Sequence, residues 1–159
     1  MTPEEEAAKK RAEERAQRLA KAVATLEDSE RELREDAEDR VILAAELLVK
    51  YKAEIGKRGL DFEILDCGAQ GIVAIKRVDA ITMAKWDETS ESFVKKGQPI
   101  PSGAWLNFTT PAILHPDAKV YRQMCVDTEQ RPGASSLPIM IAGALKVLHG
   151  AFAKEVSTK

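Results

Sequence analysis

The residues that could do chemistry are few, and their spacing does not bring them together. Two histidines, His115 and His149, and two cysteines, Cys67 and Cys125, are all that the chain has of either type. No pair has metal-ligand spacing such as CxxC or HxxxH. His115 precedes a proline at an expected helix start, where a capping role accounts for it. His149 falls in an expected last helical turn, where an imidazolium is favoured by the helix dipole. No serine or cysteine lies in a nucleophile elbow, and no glycine loop of the dinucleotide or P-loop type occurs. Gly68-Ala69-Gln70-Gly71 is too short to cradle a phosphate and is explained by a turn. Lys76 and Arg77 beside it read as surface charges. The expectation is a chain with no catalytic residue, no metal site and no cofactor, and therefore not an enzyme.

The bulk numbers narrow the class further. The 159 residues suit one compact domain with an appendage. With 5% aromatic and 31% charged residues there is material for one modest core. A formal net charge of −2 argues against general nucleic-acid binding, which needs a basic surface. No apolar run approaches the ~20 residues that span a bilayer. The acidic N-terminus lacks the apolar stretch of a signal peptide. From these absences the expected localisation is cytoplasmic, with both thiols reduced and not bonded to each other.

The elements that would position any site begin with residues 1–40, a charged helical extension. Here 9 positive and 13 negative charges sit among alanines and leucines, a composition that favours helix. Leu19, Leu26 and Leu33 recur every seven residues, with Ala16, Val23 and Ala37 at the companion position. Glu30 and Arg40 interrupt the seam. Two readings stay open: a solvated helix, or a coiled coil with a partner helix or a second copy. The register continues through Ala44, Leu47 and Tyr51, so the helix is expected from about residue 4 to about residue 55. Over its last part Val41, Ile42, Leu43, Leu47, Leu48, Tyr51 and Ile55 form a broad apolar face. Gly56 and Gly59 stop it.

A compact helical domain is expected over 41–150, with a β-hairpin at about 61–77 formed by Phe62–Leu65 and Ile72–Ile75 around the glycine turn. A lone hairpin is marginal, so helices must cover it or another chain must extend it. Asp79 caps a helix from Ala80 to about Lys96. Trp105, Leu106 and Phe108 belong to a short helix broken near Pro111. His115-Pro116-Asp117 opens the next helix, which Arg131-Pro132-Gly133 closes. Ser135 or Ser136 caps the last helix, Leu137 to His149, with Gly150 as its stop and 151–159 as a tail. That helix is apolar on all sides, so it is either the domain centre or half core and half interface. The fold class is mainly α with one small β-hairpin (α+β), a long N-terminal helix preceding a compact helical domain.

From about Phe62 to Gly150 the order of features resembles the tail assembly chaperone family of tailed bacteriophages and prophages. The similar part contains Ile72-Val73-Ala74-Ile75-Lys76-Arg77, the helix Asp79 to Phe93, and Leu114-His115-Pro116-Asp117. It continues through Glu129-Gln130-Arg131-Pro132-Gly133 to a final apolar helix ending Leu148-His149-Gly150. The charged forty N-terminal residues lie outside this pattern. The resemblance implies a non-enzymatic protein that binds the long, helical, aggregation-prone tape measure protein and keeps it soluble during tail morphogenesis. Such a role needs exposed apolar surface that accepts amphipathic helices. The candidates for it are Trp105, Phe108, Ile139, Met140 and Val147, with the core as the competing destination for the same side chains. The alternative function is a structural coiled-coil component of a phage or secretion apparatus, self-associating through the N-terminal helix. Neither reading involves nucleic acid or membrane.

Overall fold

A computed structural model describes residues 1–130 and 136–157. The expected turn at Arg131-Pro132-Gly133 and the expected cap at Ser135 lie outside the described residues. Helix accounts for 76% of the structure, beside one small antiparallel sheet, so the chain is mainly α with a small β part. It forms two compact units, Met1–Asp39 and Arg40–Lys159.

Helix α1 runs Pro3–Glu54. Its start is a capping box: Glu5 N–H donates to Thr2 Oγ1 at 3.2 Å, and Thr2 N–H donates back to Glu5 Oε2 at 2.9 Å. Within the first unit all side chains up to Asp36 are exposed. The helix there is held by propensity and backbone hydrogen bonds rather than by a core. Within the second unit Leu47 and Tyr51 of α1 are buried. Gly56, at φ 143°, turns the chain where a Cβ would stand 2.8 Å from the Asp61 carboxylate. That carboxylate accepts from Lys57 N–H at 2.7 Å.

The sheet comprises β1 Phe62–Asp66, β2 Ile72–Lys76 and β3 Ile113–His115, in the order β1-β2-β3, all antiparallel. Phe62 pairs with Lys76 and Asp66 with Ile72 across a single 3₁₀ turn, Gly68–Gln70. The expected hairpin is therefore present, and a third strand from the same chain extends it. His115 does not cap a helix. It pairs with Ala74 in β3, and Asp117 performs the capping, accepting from Val120 N–H at 2.9 Å. The reason is side-chain chemistry: a carboxylate is the better acceptor for the free N–H groups of a helix start.

Successive side chains of β2 serve two separate cores, as a strand's two-residue period requires. Ile72 and Ala74 join Phe62, Ile64, Leu47 and Tyr51. Val73 and Ile75 join the side chains of four further helices. These are α2 Ala80–Lys95, α3 Ser102–Thr109, α4 Ala118–Glu129 and α5 Leu137–Ser157. Asp79 caps α2, and the Thr82 backbone N–H at 2.7 Å holds its carboxyl below the usual range. Two groups make polar ties across the layers. Tyr51 Oη donates to Leu114 O at 2.9 Å, and Arg40 Nε meets Asp66 Oδ1 at 3.1 Å. Arg77 is not a free surface charge: Nε donates to Leu60 O at 3.0 Å, and the guanidinium lies 3.5 Å over the Phe152 ring.

Because no core side chain precedes Arg40, deleting residues 1–38 should leave a domain that melts cooperatively, with stability changed by about 1 kcal/mol or less from the lost capping box. Loss of the cooperative transition in a thermal melt of the truncated chain would refute this.

Candidate protein-binding surface

Helix α5 divides into two faces by burial although its composition does not alternate. Leu137, Pro138, Ile141, Ala142, Leu145 and Leu148 are buried, at the spacing of three and four that defines an inner face. Between them Ile139 is 48% exposed, Met140 41% and Val147 74%. Gly143, Gly150 and Ala151 complete the same outer row and are also exposed. The helix thus turns one apolar face to the core and a second to solvent.

Of the five expected binding residues, three stand together on that outer face: Ile139, Met140 and Val147. Trp105 on α3 is half-buried and packs against the core cluster. Phe108 is a correction. It is buried, with its ring stacked on Trp86 at a centroid separation of 4.5 Å and an interplanar angle of 3°. Trp86 from α2 also meets Trp105 at 4.9 Å, tilted by 56°. The three rings form one aromatic cluster joining α2 to α3, and only 7% of Phe108 stays exposed. An open groove of about 320 Å³ borders this cluster, lined by Thr82, Lys85, Trp86, Thr89, Asn107 and Phe108. Beside it Lys146 of α5 pairs with Asp87 of α2 at 3.7 Å, an exposed contact worth little.

The helix also runs further than expected. It passes Gly150 and ends at Ser157, so residues 151–157 are not a tail and His149 is not in a last turn. At 21 residues it is long and apolar enough to cross a membrane by length and composition. The apolar run alone did not reveal that length, since the continuation Ala151–Ser157 includes Lys154 and Glu155. Missed as well were Val41, Ile42 and Val49 on α1, which are 66%, 56% and 72% exposed. Val41 and Ile42, with Ile55 at 39%, were expected on the broad apolar face. Of that face Leu43, Leu47, Leu48 and Tyr51 do turn inward, joined by Ala44.

The titratable groups do not converge. His115 is half-buried, and its pKa is pushed down by burial first and by Lys50 second, with Asp117 opposing. His149 Nδ1 is buried and has no hydrogen-bond partner among the described residues. Cys67 and Cys125 are both unbonded. Burial pushes both thiols up, away from the reactive thiolate. Tyr121, fully buried, shares a 2.7 Å hydrogen bond with Thr109 Oγ1, and burial raises its phenol well above the ordinary 10.0. Among the described residues no group of three or more His, Cys, Asp or Glu could hold a metal ion.

Two outcomes follow from this geometry. Leu145→Ala should cost about 2–5 kcal/mol and Val147→Ala no more than about 0.5 kcal/mol in denaturant unfolding. Equal effects would mean that the two faces of α5 are assigned wrongly. The raised phenol of Tyr121 carries a pH sign. Its stabilising effect is fully present below the unfolded value and is lost as pH rises, so stability should fall from about pH 10 upward. Tyr121→Phe should flatten that alkaline decline; an unchanged slope would exclude Tyr121 as its source.

No family model, no curated protein and no solved structure matches the chain.

Proposed function

We propose that this protein is a non-enzymatic assembly chaperone that binds an amphipathic helical segment of another protein through the outer face of α5. The observation that carries the reading is Ile139, Met140 and Val147 exposed in one row on a helix whose opposite face is core. Large aliphatic side chains in water on a rigid, well-packed element suit a helix-in-groove partner. Gly143 and Gly150 in the same row leave room for that partner's side chains, since nothing lies within 4 Å of a Cβ built at either. The resemblance in the sequence supports the more specific reading: a phage tail assembly chaperone holding the tape measure protein soluble in the host cytoplasm until the tube forms.

The second reading, a permanent structural component, is favoured by a different observation, the exposed row Leu19, Leu26 and Leu33 on α1. Purified particles separate the two, since a chaperone is absent from them and a component is retained.

Co-expression with a candidate tape measure protein tests the first reading. The expected result is a soluble complex that survives gel filtration at micromolar concentration. Val147→Asp should abolish it without altering the melting transition, because Val147 is 74% exposed. Leu145→Asp should unfold the domain instead, since an unpaired charge would be buried there. A tape measure protein that is no more soluble with this chain than without it overturns the proposal.

A further inference from the structure

We propose that residues 12–37 of α1 pair with the same residues of a second copy of this chain, antiparallel, in the register that sets Val23 against Leu26 of the second copy. The inference does not depend on the reading of α5. It starts from Leu19, Val23, Leu26 and Leu33, which are 45–68% exposed on a helix that has no core of its own. Their spacings are four, three and seven, the period of a two-helix seam with Glu30 at the intervening position.

The ends of the free seam are defined. On the C-terminal side the next seam positions are already used within the second unit. Arg40 pairs with Asp66, and Ala44, Leu47 and Tyr51 belong to a core. On the N-terminal side the seam positions become Lys9 and Glu5. The usable stretch is therefore Ala12 to Ala37, about 39 Å of helix at 1.5 Å per residue. Full antiparallel overlap of that stretch with itself places the twofold axis between Ala24 and Thr25. Ala12 then faces Ala37 of the second copy, and Ala16 faces Leu33, a small residue against a large one at each end. Glu30 faces Leu19, and its carboxylate can reach solvent beside it.

Charge selects this register independently. In an antiparallel pair the positions flanking the seam meet their own kind across it. Arg15 then meets Asp36 of the second copy, and Glu13 meets Arg34; symmetry makes each pair twice. Sliding one copy by seven residues in either direction instead sets Glu27 against Glu27, or Glu13 against Glu27. A parallel pair would stack Glu30 on Glu30 inside the seam and would make neither favourable contact. Like charges facing each other inside or beside the seam are the costly arrangement. The ion pair that α1 makes within itself, Arg31 with Asp28 at 3.0 Å, uses residues outside the seam and its flanks. It leaves the four pairing residues available.

Sedimentation equilibrium of the full-length chain over a wide concentration range tests the proposal. The expected result is a monomer–dimer equilibrium weakened by raised salt, as exposed ion pairs require. Arg15→Glu and Asp36→Arg should each weaken the dimer by roughly tenfold, because each reversal strikes two symmetric pairs. The double variant carrying both should recover most of the loss. Residues 15 and 36 lie far apart along one helix, so only antiparallel pairing can produce that rescue. Both changes are at exposed positions, and an unaltered melting transition checks that the domain is intact. A chain that stays monomeric at every concentration, a different oligomer, or a dimer indifferent to the reversals or not rescued by the double variant overturns the proposal.

Discussion

Strand β2 is the constraint on which the second unit depends. Its side chains from Ile72 to Ile75 are all buried, alternately toward two cores. A strand buried on both sides must have helices on both faces and strands on both edges, because unpaired backbone groups in an apolar interior are costly. Each of these needs is met from a distant part of the chain. The C-terminal part of α1 covers one face, helices α2 to α5 cover the other, β1 pairs one edge, and β3 pairs the other. The Tyr51 hydroxyl on the Leu114 carbonyl binds the first layer to the last strand, joining residues 63 positions apart. One five-residue segment thus determines where five helices can go.

The same layering explains why α5 carries apolar residues on both sides. A helix against a sheet of three short strands needs only one stripe to satisfy the core, and the buried six residues provide it. The outer row is surplus to folding. Gly143 and Gly150 within it would each cost about 1 kcal/mol relative to alanine in an exposed helix. Folding alone supplies no reason to keep two glycines and a valine in water on one line. Phe152 and Arg77 show what holds the helix past Gly150: a guanidinium stacked on the ring at 3.5 Å, with Arg77 itself anchored to the Leu60 carbonyl.

Local signals were enough for much of this architecture. The long helix, the glycine-bounded hairpin and the Asp79 cap follow from composition, turn chemistry and capping chemistry that act over a few residues. What local reading could not supply was pairing across distance. Ile113-Leu114-His115 is too short to read as a strand, and only β2, forty residues earlier, makes it one. Gly150 resembles a helix stop until tertiary contact at Phe152 outweighs its propensity. Phe108 and Trp105 look equivalent in sequence, three residues apart on one helix. The partner that separates them is Trp86, which stacks flat on Phe108 and only tilts against Trp105. For the candidate surface, Ile139, Met140 and Val147 were readable as excess over one apolar stripe, whereas Val41 and Ile42 were assigned to the wrong side. Both faces of that stretch are apolar, and periodicity alone cannot choose between them.

The two apolar surfaces differ in the kind of recognition they can support. The seam on α1 is narrow and interrupted by Glu30, and it is framed by charges of both signs. Such framing contributes little affinity but penalises wrong registers, which favours one defined partner geometry. The outer face of α5 has no such frame. Its own exposed charges, Lys146 and Lys154, are of one sign, and glycine and alanine lie between the aliphatic side chains. Without charges of both signs to fix a register, sliding an apolar helix along that face costs little, so affinity there comes mainly from area and shape. A surface of that kind tolerates many registers of a long amphipathic client, whereas a charge-framed seam tolerates one. Under the two proposals, the physical division of labour is permissive binding by the folded domain and selective pairing by the extension.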